Sequence, residues 1–266
     1  MRETLTRLLS GIVYILLLAA AIFYSAESFL LLFGVFLMIS VVEFCSLVQL
    51  RKTWPLIISG LVYFIFAIYP ATMIMLHALL VATLFVSFRC IAFLFDDKAN
   101  ISDDTTKYIY LIGYVILPFI LLAKIPFQDI FYQPEIIFGI FVLVWTNDTF
   151  AFIVGKTMGK NKLFPKISPK KTIEGFVGGL GFTLVAAAIM SRFLTQGFYF
   201  WVVIAAIIGV VGTAGDLVES KFKRVAGVKD SGSIMPGHGG ILDRLDSVIF
   251  AAPFVFLFYQ ILYYVS

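Results

Sequence analysis

Apolar residues run through this chain in blocks separated by short polar breaks, at 8–25, 28–48, 55–71, 73–95, 108–124, 135–154, 174–191, 198–219 and 247–264. Helical runs of about 20 residues cross the hydrocarbon core of a bilayer. The pattern therefore predicts an all-α polytopic membrane protein with about nine transmembrane helices. The third and fourth blocks are divided only by Tyr69-Pro70 and a few small residues. Met1 to Ala21 has the outline of a signal peptide, with Arg2 and Arg7 ahead of an apolar run. That run is long and no clean small-residue cleavage site follows it, so an uncleaved first span is expected.

Composition strengthens this picture. Of 266 residues, 61% are hydrophobic and 14% charged, with mean hydropathy +1.01. A soluble domain would carry about a quarter charged residues. Cys45 and Cys90 both sit inside apolar runs and read as small buried hydrophobes, with no disulfide or metal framework implied. No internal repeat or linker is visible, so the chain reads as one integral-membrane domain over 1–266. Spans in 1–134 are expected to supply packing, dimer and lipid-facing surfaces, and 135–266 the catalytic spans and loops.

Charge placement gives the sidedness. The net charge is +4, and the 20 lysines and arginines are not spread evenly. All but Lys124, Arg192 and the intramembrane Arg89 fall at the N-terminus or in alternate loops. Basic residues of short loops stay cytoplasmic, which predicts a cytoplasmic N-terminus and an outside C-terminus. The loop 96–107 is acidic and rich in turn formers, and reads as a solvated connector. Glu43 and Arg89 are expected to pair within the bundle, and His77 to be a satisfied core residue.

Polar chemistry concentrates in three segments at one depth. Asp148 lies in the cytoplasmic half of the sixth span. Asp216, Glu219 and Ser220 share one helical face at the end of the eighth. Asp243 and Asp246, one turn apart, open the ninth. An acid at a helix centre costs about 2.5–3.5 kcal/mol on insertion scales, and a divalent cation would offset that cost. Magnesium takes oxygen ligands, one or two carboxylates plus waters and substrate phosphates. Asp216, Asp243 and Asp246 are the expected ligands; Asp148 joins them, binds a substrate hydroxyl or orients another ligand. The alternative is salt bridging to loop lysines and arginines.

Pro236-Gly237-His238-Gly239-Gly240 reads as a phosphate cradle whose glycine amides approach anionic oxygens. Lys223, Arg224, Lys229 and Arg244 surround it with positive charge, and His238 either contacts phosphate, passes a proton or holds a turn. Between the sixth and seventh spans, Ser168-Pro169-Lys170-Lys171-Thr172 reads as phosphate or lipid-head contacts, with Lys170 and Lys171 the principal ones. Glu174 is expected to cap the seventh helix or to serve chemistry. Phosphoryl chemistry on a lipid substrate follows from the residues alone.

Ser220, Lys223, Arg224, Lys229, Asp230, Pro236, His238, Gly239, Gly240, Asp243, Arg244 and Asp246 together resemble the signature of the phosphatidate cytidylyltransferase family, the CDP-diacylglycerol synthases. Trp145 with Asp148-Thr149, and Ser168-Pro169-Lys170-Lys171-Thr172 with Glu174-Gly175, resemble further family blocks. Met235 departs from the usual Leu, Ile or Phe. The resemblance implies transfer of the cytidylyl group of CTP to phosphatidic acid, releasing pyrophosphate, with Mg2+ required. It also implies a homodimer, a second cation such as K+, and residence in a bacterial inner membrane with the active site on the cytoplasmic side. On that footing Asp216, Asp243, Asp246, Lys223, Arg224 and Asp148 are the expected catalytic residues. Ser168, Lys170, Lys171, Ser220, Lys229, His238, Gly239, Gly240 and Arg244 are the expected substrate contacts. Membrane lipids are expected partners and nucleic acid is not. The alternatives are a CTP-dependent polyprenol-type lipid kinase and an ion-coupled transporter; neither inverted repeats nor interrupted helices in matching halves support the latter.

Overall fold

The computed structural model of the protein describes residues 2–69, 72–96, 101–127 and 131–265, the side chains of 2–5, 7, 8 and 265 excepted. Pro70 and the stretch 97–100 of the acidic connector, Lys98 included, lie outside these residues.

Among the described residues the chain forms nine helices: α1 Arg2–Tyr24, α2 Ala26–Leu47, α3 Thr53–Ile68, α4 Met73–Phe95, α5 Asp104–Phe127, α6 Pro134–Met158, α7 Ile173–Met190, α8 Phe198–Val225 and α9 Leu242–Val265. Seven of them, α2 and α4 to α9, are long and apolar enough to cross a membrane by length and composition. The apolar parts of α1 (Leu9–Tyr24) and of α3 are shorter. The breaks lie where polar residues can cap. Ser25 forms a reciprocal capping box with Ser28, and Thr72 and Thr172 each accept a first-turn amide. Asp103 accepts the Thr106 amide at 2.7 Å, which holds its carboxyl below the usual range.

α5 and α9 form the centre of the bundle; 78% and 72% of their apolar windows are buried, against 22% for α7. α7 instead lies along α6, where Gly175 and Gly179 face the backbone of Ala151 and Asn147. Small residues at four-residue spacing let two helices approach closely, and close packing is the main attraction between helices in lipid. Wide π-type turns end α3 at Phe64–Ile68 and interrupt α5 and α8 at Leu111–Ile116 and Ile208–Gly212.

Two departures from the expected pattern matter for the site. α8 continues to Val225 and α9 begins at Leu242, so Glu219, Lys223, Asp243 and Asp246 are all helical. The connection from α6 to α7 is a hairpin rather than plain loop. β1 Lys162–Phe164 and β2 Ser168–Thr172 pair antiparallel, with Lys162 opposite Thr172 and Phe164 opposite Ser168.

Candidate active site

The last turns of α8 are fixed by packing. Gly215 lies against α9 so closely that an added Cβ would stand 2.5 Å from the Phe250 Cβ and 2.9 Å from the Asp246 carbonyl oxygen. Two turns on, Phe222 is buried among Phe44, Phe93, Tyr110 and Tyr114, with ring centroids 4.9–5.2 Å away. Each such aromatic pair contributes about 0.5–1.5 kcal/mol beyond its buried area. The neighbouring Lys221 donates to the Asp96 carbonyl at 2.9 Å. Together these contacts set the rotation of α8 that turns Asp216, Glu219 and Lys223 toward the start of α9.

Lys223 occupies the middle of a buried ionic triad. Its ammonium donates to Glu219 Oε2 and, at 2.6 Å, to Asp243 Oδ1. Glu219 is fully buried and Lys223 nearly so. The other Asp243 oxygen, Oδ2, accepts the Ser231 amide and hydroxyl at 2.9 Å each and the Gly240 amide at 2.7 Å. Asp243 is thus engaged on both oxygens. In this arrangement Asp243 holds Lys223 and closes the loop 231–240; Asp216, another expected metal ligand, is likewise engaged on both oxygens, by Lys171 and Ser220.

A second acidic group lies beside this triad. Asp216 pairs with Lys171 of β2 at 2.5 Å and accepts from Ser220 Oγ at 3.3 Å. Asp246, buried, accepts the Ser247 amide at 2.6 Å. The charges of Asp216 and Asp148 both act on it, and Asp216, Lys171 and Arg244 act on Asp148. Asp148 is exposed, next to the buried Asn147, whose amide donates to Thr213 Oγ1 at 3.5 Å. The carboxylates of α6, α8 and α9 therefore lie within electrostatic reach of one another, and the hairpin delivers a lysine to Asp216.

The glycine loop is internally bonded. Pro236 and Gly237 (φ 76°) form the corner of a turn closed by the His238 amide donating to the Met235 carbonyl at 2.9 Å. Gly239, at φ 85°, is the other left-handed position, and the Gly240 amide is spent on Asp243. His238 Nδ1 lies 2.7 Å from Ser10 Oγ of α1, and that hydroxyl donates to the Pro236 carbonyl at 3.1 Å. Arg244 donates to the His238 carbonyl at 3.0 Å. Arg224 ties the end of α8 to the hairpin and the next turn through the carbonyls of Ile167 and Val228, at 3.2 and 2.9 Å. Lys170 and Lys229 are exposed, and Ser168 is half-buried.

Two expectations are corrected. Glu43 is not paired with Arg89 among the described ion pairs; it accepts the Ile241 and Leu242 amides at 3.1 and 2.8 Å. Glu174 is not the N-cap of α7, which is Thr172; from the first turn its carboxylate accepts the Lys160 and Asn161 amides and closes the hairpin. Ser10, Glu43 and Ser231 were not expected at the site; only Glu43, a charge inside an apolar run, carried a signal. His77, by contrast, does reach a partner, Gln260 Oε1 at 3.0 Å.

Among the described ion pairs the buried carboxylates of Glu219, Asp243 and Asp246 meet one ammonium, Lys223, an excess of two negative charges if all are ionised. Glu219 Oε1 and the Tyr114 hydroxyl are buried and meet no hydrogen-bond partner among the described residues. Buried charge of that size requires protons or a cation. Among the described residues no three His, Cys, Asp or Glu side chains form a ready metal-holding group. The residues present suit a hard cation that takes one or two carboxylates and completes its shell from substrate.

A model of the cytidylyltransferase family matches residues 5–262. The chain is 49% identical over 144 residues to the phosphatidate cytidylyltransferase of Staphylococcus saprophyticus, covering 53% of this chain and 54% of that protein. It is 53% identical over 115 residues to the proteins of the same name from Staphylococcus haemolyticus and Staphylococcus aureus strain COL, covering 42% of this chain and 44% of each relative. The aligned region thus spans about half the length of the curated relatives it matches.

Proposed function

The chain belongs to the cytidylyltransferase family, and from that premise we propose that it transfers the cytidylyl group of CTP to phosphatidic acid, giving CDP-diacylglycerol and pyrophosphate. The observation that supports this most is the meeting of carboxylates from α6, α8 and α9 with Lys171 and Lys223 at one end of an apolar bundle. Such a site handles polyphosphate while acyl chains stay in lipid.

In this proposal Asp216 and Asp246, with Asp148 beside them, hold Mg2+. When bound, the ion supplies positive charge against the triphosphate and the departing pyrophosphate. Lys171 and Lys223 offset repulsion between the two polyanions, and the exposed Lys170, Lys229 and Arg244 draw them in. A phosphatidate oxygen attacks the α-phosphorus of CTP. The new P–O bond forms as the bond to the bridging α–β oxygen breaks, and pyrophosphate leaves with that electron pair. The nucleophile is already an anion, so no side chain is needed to remove a proton. Asp243 keeps Lys223 in place throughout.

The basic alternate loops support an inner-membrane protein with this end facing the cytoplasm. A homodimer and a second, monovalent cation rest on the family resemblance alone. Purified protein incubated with labelled CTP, phosphatidate and magnesium should yield pyrophosphate and a cytidine-bearing lipid, and EDTA should stop both. Release of CDP in place of pyrophosphate would instead mark a lipid kinase.

A further inference from the structure

Glu43 lies four residues before the end of α2 and is 5% exposed, yet its partners are all in the segment that opens α9. Oε1 accepts the Ile241 amide at 3.1 Å; Oε2 accepts the Leu242 amide at 2.8 Å and the Ser231 hydroxyl at 3.4 Å. The amides at a helix start have no partners within the helix and carry the positive end of its dipole. A buried carboxylate is stabilised there without a cation, and among the described ion pairs it has none. Room for it comes from Gly232 and Gly240, where an added Cβ would overlap the carboxylate.

The Ser231 hydroxyl is shared. It also donates to Asp243 Oδ2 at 2.9 Å, and the opposite oxygen of Asp243 holds Lys223. Contacts therefore link α2 through Ser231 and Asp243 to Lys223 and Glu219, the one Ser231 proton being divided unequally between Asp243 at 2.9 Å and Glu43 at 3.4 Å. We propose that Glu43 is a positioning residue for the transferase reaction: by clamping the start of α9 and Ser231 it fixes Asp243, and through Asp243 the Lys223 ammonium that faces the phosphates. Gly240 is then glycine to admit Glu43 rather than to approach substrate. This inference rests on the function proposed above.

The test uses full-length protein in lipid nanodiscs. In Glu43→Gln one amide donor meets an NH2 group instead of an acceptor. Hydrogen–deuterium exchange at 231–242 should then speed up by about tenfold or more, as local opening becomes easier. CTP bound per chain should stay at the wild-type stoichiometry while kcat per bound site falls by about a hundredfold, the size expected of a slight misplacement. Ser231→Ala, which leaves both carboxylates in place, should lower kcat per site in the same direction and covers the case in which Glu43→Gln does not fold. Unchanged exchange, or faster exchange with unchanged kcat per site, overturns the proposal. So does a loss of CTP-binding chains with full turnover in those that remain, which marks a structural cap only. If the wild type itself makes no cytidine-bearing lipid, the functional reading fails, and the exchange data still decide whether Glu43 clamps the segment.

Discussion

Replacing Lys223 by Met separates the structural weight of the ionic triad from its chemistry. Lys223 is 8% exposed, and it answers two carboxylates, Glu219 at 0% exposure and Asp243. Removing one partner of a buried pair costs about 3–5 kcal/mol, because a charge is left without compensation. For a chain of this length a kcal/mol corresponds to about 2–4 °C, so Tm should drop by roughly 6–20 °C. Adding Glu219→Gln to Lys223→Met removes one orphaned charge and should restore about half of that loss. Buried Cys45 and Cys90 make a convenient assay, since a thiol-reactive dye reports their exposure on heating. Turnover should be abolished in both variants, the double variant being stable but inert. A Lys223→Met protein melting within about 2 °C of the parent would refute the reasoning, as would a further fall in Tm on adding Glu219→Gln.

Asp246→Asn should cut pyrophosphate release by about a hundredfold or more while elution and melting stay near wild type; full activity would remove Asp246 from the site. Lys171→Met breaks a half-exposed pair with Asp216, so stability should change by under about 1 kcal/mol. Its KM for CTP should nevertheless rise about tenfold, as for loss of one charged contact; an unchanged KM would make the pair purely structural. Gly215→Val drives a methyl group into Phe250 and the Asp246 carbonyl, and should cost about 1–3 kcal/mol in a thermal melt along with most of the activity.

The helices were legible because an apolar run in lipid has few structures open to it: each backbone polar group must be satisfied within the segment. Expected and observed starts agree within two residues for α2, α3, α4, α6, α7 and α8. The start of α9 was placed late because Leu242-Asp243-Arg244-Leu245-Asp246 is too charged to read as span, although the carboxylates are helical. The hairpin was hidden for a related reason. Its lysines satisfy the sidedness pattern, and Lys-Leu-Phe and Ser-Pro-Lys-Lys-Thr lack the alternation of a half-buried strand. That carboxylates of α6, α8 and α9 lie near one another could be read from spacing along the helices. Which partner each would meet could not: Glu43 is nearly 200 residues from Leu242, and its position in α2 names no partner. Asp243 looked like a metal ligand by type and place; spacing could not show that Ser231, Gly240 and Lys223 would also reach its oxygens.

Ser10 and Glu43 reach the loop 231–242 from the first two helices, which bears on how such proteins can exchange parts. A crossover between two homologues near residue 134 would inherit the motif-bearing half from one parent and its anchors from the other. Such hybrids should insert and fold, yet remain silent unless positions 10, 43, 231 and 238 come from the same parent. Drift at any of these four sites would accordingly be constrained by the others across more than half the length of the gene.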